Sequence, residues 1–122
     1  MAKVIDFSGP RLDLRIRRGT TAAEAYSDIE DSSGTAITTI SVARITFRAG
    51  AITDTTPGTA VASLTVTPTN TGSTISWEMT PTQTRLFTAG TAYWYQVEFD
   101  TADGKTWTLL VGNVTVEMEG VT

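Results

Sequence analysis

Thr91-Ala92-Tyr93-Trp94-Tyr95-Gln96-Val97-Glu98-Phe99 is the stretch that decides the fold. Its period is two: Tyr93, Tyr95, Val97 and Phe99 fall on one side, and Ala92, Trp94, Gln96 and Glu98 on the other. That spacing is a strand with one core-facing side, because successive side chains of extended backbone point to opposite faces. Four residues on, Asp103-Gly104 separates this run from Thr106 to Val111, a hairpin signal between two strand-like runs. Gly112 interrupts the second run and reads as a bulge, after which Asn113 to Glu117 completes it.

The same alternation extends towards the N-terminus. Thr74 to Met79 puts Ile75, Trp77 and Met79 on one face, and Pro68 to Gly72 before it reads as a turn. Ala60 to Thr67 reads as a strand with Ala62, Leu64 and Val66 inward, and Ala49 to Thr59 as a loop. Val42 to Arg48 alternates Ala43, Ile45 and Phe47 against Arg44, Thr46 and Arg48. The run Thr21 to Glu30 is strand-like, but its two faces are poorly distinguished, which leaves its register open. Asp31 to Gly34 is turn chemistry, and Leu12, Leu14 and Ile16 share a face near the start. One segment breaks the pattern. Thr80 is placed to cap a single helical turn begun by Pro81, and Ala89-Gly90 ends it.

Composition agrees with sheet. The 122 residues include 25 Thr, 9 Val and 8 Ile against 6 Leu, and β-branched side chains suit a pleated surface. The expectation is an all-β antiparallel sandwich of about seven to eight strands with one short helical turn. Residues 11–119 form the sandwich and residues 1–10 an arm.

With no Cys and no His, the chain has no disulfide, no thiol nucleophile, no Cys or His metal site and no imidazole acid–base device. A net charge of −4 gives no electrostatic reason to bind nucleic acid. No apolar run is long enough for a membrane-spanning helix, and Met1 to Pro10 has no h-region, so it reads as mature sequence. The acidic clusters Asp28/Glu30/Asp31 and Asp100/Asp103 sit at turns and do not match a calcium loop. No constellation points to catalysis, and no cofactor or metal is expected.

Several stretches carry a family resemblance. They are Leu12-Asp13-Leu14-Arg15-Ile16-Arg17-Arg18-Gly19-Thr20-Thr21, the Asp31 to Gly34 turn and Ala43-Arg44-Ile45-Thr46-Phe47-Arg48. Thr80-Pro81-Thr82-Gln83-Thr84-Arg85-Leu86 follows, with Ala89-Gly90-Thr91-Ala92-Tyr93-Trp94-Tyr95, Asp103-Gly104-Lys105 and Leu109-Leu110-Val111-Gly112-Asn113-Val114-Thr115-Val116. Together they resemble the immunoglobulin-like N-terminal domain of baseplate upper proteins of tailed phages, which is also encoded as short stand-alone chains. The resemblance covers roughly Leu12 to Glu117, and its motifs are signatures of fold. Gln96 stands where the family often has Asp, and the second strand carries Ala where bulkier residues are usual. The resemblance implies an immunoglobulin-like sandwich and a non-enzymatic virion component. Such a chain folds in the host cytoplasm and attaches or bridges tail, baseplate or fibre proteins in a symmetric multi-copy array. Capsid decoration is the alternative, and a carbohydrate-binding module at the host surface a second one.

Three groups of residues are candidates for a partner interface. Trp94 is a hot spot if its face is exposed and core if that face is covered. Arg15, Arg17 and Arg18, with Arg11, form a basic stripe that either guards an edge strand or meets an acidic neighbour. Val4, Ile5 and Phe7 are apolar residues of the arm, placed to dock on a neighbouring chain by adding to a sheet edge. Trp77 and Trp107 read as core, the latter with Leu109 and Val111.

Overall fold

The computed structural model describes residues 11–30, 34–50, 64 and 66–118. The described strands are β1 (Leu14–Arg17), β2 (Ala22–Tyr26), β3 (Ile40–Ala49), β4 (Thr69–Thr71), β5 (Thr74–Met79), β6 (Tyr93–Thr101) and β7 (Thr106–Glu117), with one helical turn, α1 (Pro81–Thr84). They form two sheets, one ordered β1-β7-β6-β3 and the other β2-β5-β4. In an immunoglobulin sandwich the second, fifth and fourth strands make one sheet and the third, sixth and seventh the other. The order of these six is the same here, whereas the first strand, which flanks the second in constant-type domains, lies beside β7. The chain is therefore an all-β, immunoglobulin-like sandwich.

One pairing departs from the antiparallel expectation. β1 runs parallel to β7, Leu14 opposite Val114 through Arg17 opposite Glu117, while the other pairings are antiparallel. Parallel strands need a long crossover, and here nearly the whole chain lies between the two partners.

Phe47 is the centre of the core. It stacks on Tyr95 with centroids 5.8 Å apart and meets Trp77 and Phe87 edge-on at 5.8 and 5.4 Å. Phe87 meets Tyr93 edge-on at 5.0 Å. Offset and edge-on geometries are those the aromatic quadrupole favours. These rings come from β3, β5, the α1–β6 connection and β6, so the cluster ties both sheets together.

α1 forms as the residues dictate. Thr80 Oγ1 accepts from Gln83 N at 3.2 Å, and Gln83 Oε1 accepts from Thr80 N at 2.9 Å. This is a reciprocal capping box with Pro81 in the first helical turn. After it, Thr88 N donates to Tyr93 Oη at 2.8 Å. A tyrosine at the start of the sixth strand, bonded back to upstream backbone, is the tyrosine corner of immunoglobulin sandwiches. Tyr95, two residues later, stands where antibody domains place a cysteine.

Several expectations are corrected. Leu12 is 41% exposed and does not share the burial of Leu14 and Ile16, because β1 begins only at Leu14. Ala22, Glu24 and Tyr26 turn inward on β2, and the strand stops at Tyr26; Asp28, at φ 56°, interrupts the ladder, which Ile29 N rejoins at Ser73 O. Thr69–Thr71 is strand β4, and the turn after it is only Gly72-Ser73, with Gly72 at φ 58°. Leu64 and Val66 pack against the core, but the described part of 60–67 carries no strand, and the rest lies outside the described residues. So do 31–33 of the expected turn and 51–59 of the expected loop; Ala49 belongs to β3.

The bulge is not at Gly112. Val97 faces Leu110 and Glu98 faces Thr108, so Leu109 is the extra residue. It switches the inward phase of β7 from Trp107 to Leu110, Val114 and Val116, which lie in the core cluster, and sends Val111 to the other face. Gly112 sits in regular register opposite Tyr95. A Cβ there would lie 2.0 Å from Leu12 O and 2.8 Å from Tyr95 Cε1, so the residue is glycine because two segments approach its backbone. Tyr95 Oη donates to that same Leu12 carbonyl.

Candidate functional site

The four-stranded sheet is buried on both faces along β6. Trp94 is 1% exposed, and Gln96 and Glu98 are 8% each. Trp94 and Val111 are buried but lie outside the main core cluster. Their neighbours across the ladder are Arg48 and Asn113 for Trp94, and Val111 for Gln96. Trp94 is thus not an exposed hot spot. Alternation shows that it faces away from Tyr95, but a local period carries no information about whether that face is covered. The polar groups here are satisfied: Gln96 Nε2 donates to Thr108 Oγ1 at 3.2 Å, and Glu98 Oε1 lies 3.7 Å from Arg44 Nε. Arg44 also grips Asp100 with two hydrogen bonds of 2.8 and 2.7 Å, and Asp100 accepts a third from Thr106 Oγ1 at 2.7 Å.

The basic stripe divides. Among the described strands β1 is an edge of its sheet, and from it Arg15 and Arg17 extend with side chains 77% and 54% exposed. Both reach the one carboxylate of Glu117, each at 3.2 Å. Asp13 also lies within the stripe, where its Oδ1 accepts from Asn113 N at 2.9 Å, and its carboxylate offsets part of the positive charge. Arg11 is exposed and joins the sheet only as an isolated bridge to Val111. Arg18 turns to a different task. It is half-buried, Nη2 donates to Arg85 O at 3.2 Å, and its buried Nε has no partner among the described residues. Val4, Ile5 and Phe7 lie outside the described residues.

Two threonine hubs escaped the sequence reading. Thr84, fully buried, accepts from Gly19 N at 3.0 Å and lies 2.9 Å from Thr20 O and 3.0 Å from Pro81 O. It fastens α1 to the β1–β2 turn. At the other end Thr101 Oγ1 donates to Asp103 Oδ1 and receives Trp107 Nε1 at 3.4 Å. That bond, and Lys105 N at 3.3 Å, hold the Asp103 carboxyl below the usual carboxylate range. Each hub is the last residue of its element, Thr84 of α1 and Thr101 of β6, and in a chain with 25 Thr no spacing marks either.

Asp100 and Asp103 thus serve different partners. Among the described residues, no three His, Cys, Asp or Glu side chains are grouped to hold a metal ion, and no helix is long and apolar enough to cross a membrane. What the fold defines is an immunoglobulin-like sandwich with a cationic β1 edge at one side and polar hubs at its two ends. Comparison with protein-family models and with curated proteins finds no match.

Proposed function

We propose that this chain is a non-enzymatic structural protein of a tailed-phage particle, attaching or bridging tail, baseplate or fibre components in a multi-copy assembly. The observation that carries the reading furthest is the β1 edge. Arg11, Arg15 and Arg17 stand there against Asp13 and Glu117, three cations to two carboxylates, which leaves the described edge positive on a chain whose net charge is −4. Exposed ion pairs contribute little to folding, so these arginines are better suited to recognition than to stability. Their planar forks match carboxylates on a neighbouring subunit. The sequence resemblance supplies the class of neighbour. Its segments 80–95 and 109–116 build the capped turn, the tyrosine corner and the closing strand of the sandwich.

The test is the place of the protein in a purified particle, by mass spectrometry with copy number and particle imaging. A few to a few dozen copies at the tail end or neck support the reading. Hundreds of copies on the head move it to capsid decoration, and absence from the particle overturns both. The double variant Arg15→Glu/Arg17→Glu should fold normally and fail to incorporate.

A further inference from the structure

The end of the sandwich that carries the β6–β7 hairpin holds an open concavity of about 300 Å³, with Thr38, Thr39, Thr101, Asp103, Lys105 and Trp107 in its lining. We propose that it binds a neutral pyranose unit, with the sugar ring against the Trp107 indole and its hydroxyls on Asp103 and Lys105. This site lies outside the particle-assembly reading and does not depend on it.

The argument starts from the three tryptophans. Trp94 is 1% and Trp77 4% exposed, so neither offers a ring surface to a ligand. Trp107 differs: it packs against the core cluster, is only half-buried, and lines the concavity. The anchoring is specific. Its Nε1 is directed to Thr101 Oγ1 at 3.4 Å, which fixes the orientation of the indole in the wall of the concavity.

Around the ring stand the groups that hydroxyls require. Asp103 and Lys105 have side chains 58% and 66% exposed, with Lys105 Nζ 3.8 Å from Asp103 Oδ2. Oδ1 is already occupied by Thr101 Oγ1 and Lys105 N. Oδ2 has only the distant ammonium, so it retains capacity to accept. An acceptor-only carboxylate beside a donor-only ammonium is complementary to two adjacent hydroxyls, each able to donate and accept. The two charges cancel, so the lining favours neither an anion nor a cation. Thr38 and Thr39 add further hydroxyls to the lining.

The larger concavity over β2, β4 and β5, about 540 Å³, lacks this combination. Ala23, Ala25, Thr69 and Ser76 line it with the carboxylates of Glu24 and Glu78, no ammonium stands beside these among the described lining residues, and its indole is the buried Trp77. The hairpin-end site is at the small end of ligand pockets, which suits one sugar ring rather than a chain. Solvated polar contacts and one ring surface correspond to a Kd on the order of 1 mM.

The test is NMR of the ¹⁵N-labelled full chain, following the three indole N–H resonances. The probes are methyl β-glucopyranoside, methyl β-galactopyranoside and methyl N-acetyl-β-glucosaminide, each taken to about 50 mM. The Trp107 resonance should shift saturably with at least one glycoside while those of Trp77 and Trp94 stay in place. Because Trp107 also packs on the core, the variant used is Lys105→Ala, whose spectrum away from the hairpin should be unchanged and whose affinity should fall at least about fivefold. No saturable shift with any of the three glycosides overturns the proposal. So does movement of all three indoles together, or unchanged affinity in Lys105→Ala.

Discussion

The two ends of the sandwich are each gathered by a threonine hydroxyl, and the two hydroxyls work in opposite settings. Thr84 is 0% exposed and all its partners are backbone groups, from the β1–β2 turn and from α1. Thr101 is 7% exposed, but its partners include the Asp103 carboxylate and the Trp107 indole, one solvated and one half-solvated. A bond made by a fully buried hydroxyl is hard for water to replace when broken. A bond to an exposed carboxylate is not. Chemically similar hubs therefore fix the fold at the α1 end and leave exchangeable groups at the hairpin end.

The upper limit on this contrast is set between the ends. Gly112→Ala forces a Cβ to within 2.0 Å of Leu12 O, which backbone cannot relieve without moving β1 off β7. A loss of about 3 kcal/mol is expected from chemical denaturation, with Gly112→Val worse. Thr84→Val comes next. It keeps the shape but removes the acceptor of the half-buried Gly19 N–H, so about 1 to 2 kcal/mol should be lost. Thr101→Val should cost clearly less. If the two threonine variants are equally destabilised, the contrast between the ends fails.

Much of the fold was legible because it lies in local period and punctuation. Tyr93 to Phe99, the Asp103-Gly104 hairpin and the Thr80-Pro81 cap are each settled by neighbours in sequence. What was not legible is set by distant contacts. Gly112 reads as a bulge in isolation, and only the approach of Leu12, far away in sequence, explains it. The parallel pairing of β1 with β7 has no local signature either. The run Leu109-Leu110-Val111 gave a hint: three apolar residues in succession cannot all face one side of a strand, and the bulge at Leu109 divides them. The candidate site was least legible, because exposure decides it. Trp94 reads as a candidate for exposure and Trp107 as core, and the structure reverses them, burying the first and leaving the second half-buried.

Titration sharpens the comparison at smaller amplitude. Tyr26 and Tyr95 both have hydroxyls pushed above the ordinary tyrosine value, chiefly by burial. Tyr26 Oη receives Trp77 Nε1 at 3.0 Å, and Tyr95 Oη donates to Leu12 O. Above about pH 10 the unfolded chain releases these protons while the folded chain keeps them. Stability is then fully present below that pH and falls as pH rises, by up to about 1.4 kcal/mol per pH unit for each tyrosine. Tyr95→Phe should flatten this alkaline decline, read as denaturation midpoint against pH. Asp103 gives the mirror case. Its folded value is depressed, so its contribution is present above about pH 4 and fades as pH falls through the folded value. The side chain is well exposed, so Asp103→Asn should leave the midpoint at neutral pH within error and remove only a shallow acid slope. A large loss at neutral pH would mean that the hairpin hub fixes the fold as firmly as Thr84 does, and that its groups are not free to meet a ligand.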